Sequence, residues 1–79
     1  MEGSKFVSFD NSVYGGAVAK ENIIGLTLEG TMYDYEIPTI VVTIKHGTLI
    51  AEMKFQYYNV TTCKKEYERI KEKLMNEYK

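Results

Sequence analysis

Between Thr48 and Tyr57 the chain alternates with a period of two. Leu49, Ala51, Met53, Phe55 and Tyr57 fall on one side; Ile50, Glu52, Lys54 and Gln56 fall on the other. Successive side chains leave a strand on opposite faces, so this is the pattern of a half-buried antiparallel strand. The preceding run, Thr39-Ile40-Val41-Val42-Thr43-Ile44-Lys45, is rich in β-branched residues, whose stiff χ1 suits a pleated surface. Only His46-Gly47 separates the two runs, and an X-Gly pair between strands predicts a hairpin with a type I′ turn. Upstream, residues 23–29 place Ile24, Leu26 and Leu28 on one face, and residues 5–9 and 17–19 read as shorter strands. Between the short strands, Asp10-Asn11-Ser12 and Gly15-Gly16 supply turn chemistry, the glycine pair serving either as a hairpin tip or as a bulge. Thr31 to Pro38 reads as a loop or a ragged strand, because Pro38 restricts Ile37 to extended geometry.

The period changes near the C-terminus. Cys63, Tyr67, Ile70, Leu74 and Tyr78 recur at helical spacing and predict a helix over about 62–78 with a narrow apolar stripe. Thr61 or Thr62 is the expected N-cap, and Lys64 with Glu68 and Lys73 with Glu77 stand at pairing distance along the helix. Strands followed by one helix predict an α+β fold for residues 1–79. Its sheet is an antiparallel meander of four or five strands (about 5–9, 17–19, 23–29, 39–45 and 48–57), with the helix packed on one face. One helix covers only part of such a sheet. The face bearing Val41, Thr43 and Ile50 therefore stays semi-apolar and is the expected self-association surface.

Length sharpens that expectation. A chain of 79 residues buries roughly 60% of its unfolded surface, and its single cysteine, Cys63, makes no internal disulfide. Oligomerisation, a dimer first, is the expected supplement to so small a core. Ten basic residues against eleven acidic ones give a net charge of −1 and no whole-molecule attraction to nucleic acid or to an anionic membrane. One Cys and one His cannot supply a zinc tetrad, so neither metal nor cofactor is expected. No run approaches the ~20 apolar residues of a membrane span, and Met1-Glu2-Gly3-Ser4 does not open a secretory leader; a cytoplasmic setting is expected.

Candidate chemistry is sparse. Cys63 stands near a helix start, where a thiol can be activated, but it also opens the apolar stripe and reads first as a core residue. His46, at a hairpin tip, is nowhere implied to meet it, and no spacing singles out an acid–base pair among Glu21, Glu29, Asp34, Glu36 and Glu52; no catalytic residue is assigned. Gly15-Gly16 lacks the surroundings of a phosphate loop, and Asn59-Val60-Thr61 matches a glycosylation sequon by chance. The segment Tyr33-Asp34-Tyr35-Glu36 is the exception. Tyrosine gives a rigid contact surface with a hydrogen-bonding tip, so this acidic aromatic stretch is the expected partner-binding element; the plainer reading is an edge strand whose charges deter pairing. Residues 1–61 carry four Lys and seven acids, whereas residues 62–79 carry five Lys, one Arg and four Glu. That imbalance makes Lys64, Lys65, Arg69 and Lys73 the residues of an alternative, nucleic-acid-binding reading, although a solvated helix face explains them as well.

From about Val18 to Leu74 the chain resembles small proteins common in Gram-positive bacteria and their phages. The shared features are Lys20-Glu21-Asn22-Ile23 before a strand, the X-Gly hairpin from Ile40 to Leu49, and the Lys/Glu-rich helix from Lys64 to Leu74. The resemblance is one of architecture and carries over no site residue. It implies non-enzymatic roles: accessory factors, regulators, or phage inhibitors of host defence that act by binding. The expectation is a small binding or regulatory homo-oligomer whose partner is a host protein or a small nucleotide.

Overall fold

Five strands and one helix follow in the order β1 (Phe6–Ser8), β2 (Ala17–Ala19), β3 (Ile23–Glu29), β4 (Thr39–His46), β5 (Leu49–Gln56) and α1 (Val60–Asn76), in a computed structural model that describes residues 5–76. The fold is α+β with antiparallel strands, and the strands divide between two sheets. β1 pairs only with β2, while β3, β4 and β5 form a three-stranded sheet with β4 in the centre. The division falls at a 3-10 turn, Lys20–Asn22, which ends the β1–β2 ladder and swings the chain into β3. Lys20 N–H donates to the Lys5 carbonyl at 2.9 Å just as the turn begins.

The observed register follows the alternation. Ile40 opposes Phe55, Val42 opposes Met53 and Ile44 opposes Ala51, while Leu26 and Leu28 of β3 oppose Val42 and Ile40. These residues make the face on which α1 lies. Cys63 and Ile70 of the helix are fully buried against Ile40, Val42, Phe55 and Tyr57, with Tyr67 and Leu74 packed at the margin. Val7, Phe9 and Val18 of the small sheet complete the same core. The Phe9 ring stacks on Phe55 with centroids 3.9 Å apart and planes 2° from parallel. This stack fastens the segment after β1 to the end of β5, and Val13 N–H adds a bond of 2.7 Å to the Gln56 carbonyl. Gly15-Gly16 is neither a tip nor a bulge. It is the returning end of that segment, where the Gly16 carbonyl accepts Phe9 N–H at 2.7 Å.

Three local features differ from the sequence reading. A register shift between Ile23 and Gly25 puts Ile23, not Ile24, in the core with Leu26 and Leu28: Ile23 is 6% exposed and Ile24 55%. His46 belongs to β4 and opposes Leu49, so the two-residue hairpin loop is Gly47–Thr48 rather than His46–Gly47. Gly47 has φ +66° and, among the described residues, none other than glycine has a positive φ, which makes the turn type II′, with glycine at its first central position, rather than type I′. The helix begins at Val60, and its N-cap is Asn59, not Thr61 or Thr62: the Asn59 side-chain oxygen accepts Thr62 N–H at 2.7 Å. Such a cap contributes about 1 kcal/mol. Along α1, Lys64 and Glu68 do not pair among the described residues. Lys73 Nζ reaches the Phe6 carbonyl at 3.5 Å. Glu77 and Tyr78 lie outside the described residues.

Candidate binding surfaces

The segment between β3 and β4 is a projecting loop, not an edge strand. Its neck closes where Gly30, at φ +69°, comes so near Ile37 that a Cβ there would sit 2.1 Å from the Ile37 oxygen. No other residue type fits that approach. Thr39 Oγ1 donates to the same Ile37 carbonyl at 2.9 Å, pinning the far side of the neck. At the tip, Glu36 N–H donates to the Tyr33 carbonyl at 3.1 Å, and the Glu36 carboxylate accepts Tyr33 N–H at 3.3 Å. The turn so formed lays Tyr33 and Tyr35 side by side, ring centroids 5.4 Å apart and planes 7° from parallel. Both rings remain open to solvent, 53% and 82% exposed, with Met32 and Ile37 exposed beside them. Asp34 lies between the tyrosines in sequence and is exposed as well. The segment is therefore an aromatic pair carried on a pinned loop with two carboxylates at its turn.

Val41, Thr43 and Ile50 do share one face of the three-stranded sheet, the face away from α1. They do not make an apolar patch. Val41 is only 3% exposed, because on the central strand it lies between Thr27 and Lys54, and Lys54 Nζ reaches across to Glu29 at 3.8 Å. Thr43 is half-buried. Ile50 alone offers surface, at 64% exposed, and it stands at the far end of the hairpin. On the helix side the same end is bare as well: Leu49 is 73% exposed, and Ala51 and Met53 are open to solvent. The exposed apolar surface of the sheet is thus concentrated along β5, not in the centre of its outer face.

The groups that could carry chemistry are enclosed or apart. Cys63 is fully buried and desolvation pushes its thiol up to about 11, which removes the thiolate that a nucleophile needs. His46 stands exposed at the end of β4. A polar cluster that sequence reading missed joins α1 to the segment after β1. Glu66, largely buried, accepts two bonds from Arg69, at 2.6 and 3.3 Å, and one from Asn11 Nδ2 at 3.2 Å. The Arg69 guanidinium holds the Glu66 carboxyl below the usual carboxylate range; desolvation opposes the shift and Asn11 assists it. Arg69 also donates to the Ser8 carbonyl at 3.0 Å. Close by, the Tyr57 hydroxyl is buried without a hydrogen-bond partner, and its acidity is suppressed by desolvation first and by the Glu66 charge second. These are ties within the fold, since each partner is another part of the chain.

Of the four cations assigned to nucleic-acid contact, Arg69 and Lys73 are engaged by Glu66, Ser8 and Phe6, leaving Lys64 and Lys65 exposed. A shallow groove beside the helix is lined by Ile23, Ile24, Gly25, Leu26 and Leu74, without the converging polar side chains that orient a small ligand. Among the described residues no three metal-ligating side chains stand together, and no helix is long and apolar enough to cross a membrane. The chain matches no protein-family model, no curated protein and no solved structure.

Proposed function

We propose that this chain is a non-enzymatic binding protein that acts as a homodimer and engages a partner protein through Tyr33, Asp34, Tyr35 and Glu36. The observation that carries the reading is the exposed, stacked Tyr33–Tyr35 pair on a loop pinned at its neck and its turn. A rigid aromatic pair loses little conformational entropy on binding, and large exposed aromatics are what interfaces bury at their centres. Asp34 and Glu36 set the sign of the partner: a basic protein surface, presenting Arg or Lys to the rings and carboxylates. The role that fits is regulatory or accessory, including a phage-encoded inhibitor of a host system.

Affinity capture from the native cell with wild-type protein and with Tyr33→Ala/Tyr35→Ala tests this. A protein held by the wild type should be lost with the double variant, and the purified pair should lose at least about tenfold in affinity while weakening as salt rises. Equal capture by both forms contradicts the assignment.

A further inference from the structure

β5 is an outer strand of the three-stranded sheet, so half of its backbone groups face away from β4. Two bonds fix which half. Tyr57 N–H donates inward to the Pro38 carbonyl at 2.8 Å, whereas the Gln56 carbonyl turns outward and accepts Val13 N–H at 2.7 Å. Alternation then turns the N–H and C=O groups of Lys54, Glu52 and Ile50 toward the open side. No proline and no register shift interrupts β5. Its side chains are exposed from Leu49 through Lys54, and the two charges among them, Glu52 and Lys54, are opposite in sign and two residues apart.

We propose that this edge takes β5 of a second copy, antiparallel, about a two-fold axis through Met53, to give one continuous six-stranded sheet. A ladder forms only where outward-facing residues meet outward-facing residues, which leaves few registers. An axis at Glu52 sets carboxylate against carboxylate, and an axis at Lys54 sets ammonium against ammonium; like charges directly opposite are destabilising. An axis at Ala51 gives neither Glu52 nor Lys54 an opposite charge across the seam and runs Lys54 against Thr48 of the turn. An axis at Phe55 needs the Gln56 carbonyl, which Val13 already holds. The axis at Met53 places each Glu52 opposite the second copy's Lys54 and supplies four backbone hydrogen bonds. On the helix side it brings Met53 against Met53 and Ala51 against Phe55, covering apolar surface that α1 leaves open. Beyond these bonds Gln56 falls opposite the second copy's Ile50, but its carbonyl stays with Val13, so the ladder stops short of that pair at each end.

This inference rests on the self-association within the proposed function and not on the Tyr33–Tyr35 loop. Sedimentation equilibrium of Glu52→Lys, Lys54→Glu and the double swap tests it, with melting curves to show that each variant is folded. Wild type should be a dimer at micromolar concentration. Each single reversal should weaken dimerisation about tenfold by opposing like charges, and the swap should restore it. A wild type that stays monomeric at high micromolar concentration overturns the proposal, as do single variants that dimerise like wild type or a swap that fails to recover. Tyr33→Ala/Tyr35→Ala should leave the dimer intact, so failure of the loop to bind a partner is read separately from failure of the edge to pair.

Discussion

The two halves of β5 share one alternation and meet different fates. Phe55, with Tyr57 just beyond the strand, is buried under α1 and the Phe9 ring; Leu49, Ala51 and Met53 point to the same side and are open to solvent. Periodicity therefore fixes which way a side chain points, while its burial depends on what lies above it. At one end the segment after β1 folds over the strand and is tied to the helix by Asn11, Glu66 and Arg69. At the other end nothing in the described residues covers the strand.

Substitution should expose the contrast most sharply. Ile70→Asp places an unpaired carboxylate among fully buried neighbours and should cost several kcal/mol, enough to unfold a domain of this size. Leu49→Asp, on the bare half, should leave the stability of the monomer within about 0.5 kcal/mol of wild type. Circular dichroism melts of the two variants decide it, and comparable losses would mean that the hairpin end is packed after all.

A smaller effect separates the covered half by pH. Glu66 has its folded pKa depressed by Arg69, so the ionised carboxylate favours the folded state. That contribution is complete above the ordinary carboxylate range, where both states are ionised, and is lost as pH falls through the folded value. Acid titrations of stability should therefore decline less steeply below the ordinary range in Glu66→Gln than in wild type. Identical slopes would assign the acid sensitivity to other groups.

Much of this architecture was legible in the chain, and the exceptions have physical causes. The faces of β4 and β5, their pairing and the helix stripe through Cys63, Tyr67, Ile70 and Leu74 rest on local periodicity, which needs no knowledge of neighbours; the face of Ile24 does not, because the register shift between Ile23 and Gly25 breaks the alternation of β3. The separation into two sheets was not legible, because Lys20-Glu21-Asn22 is polar without Gly or Pro and gives no turn signal. Asn59 caps the helix ahead of the threonines that the sequence reading favours; an Asn just before an apolar-periodic run is itself the signal. Glu66 stands three residues after Cys63 and four before Ile70, a position that a stripe one residue wider would have included. The Tyr33–Glu36 segment was readable as unusual, but its stacked rings depend on the Gly30–Ile37 neck, a contact between backbones that no side-chain pattern encodes. The placing of Val41, Thr43 and Ile50 on one face was correct as geometry. The burial of Val41 follows from the flanking Thr27 and Lys54 side chains, which become neighbours only once the sheet is paired.

Amide hydrogen exchange along β5 at two protein concentrations tests the central claim most directly. Ala51, Met53 and Phe55 face β4 and should be protected at both. Glu52 and Lys54 face the open edge; their amides should exchange rapidly in dilute solution and become protected as the concentration rises through the dimerisation range. Fast exchange at Glu52 and Lys54 at every concentration would contradict the account.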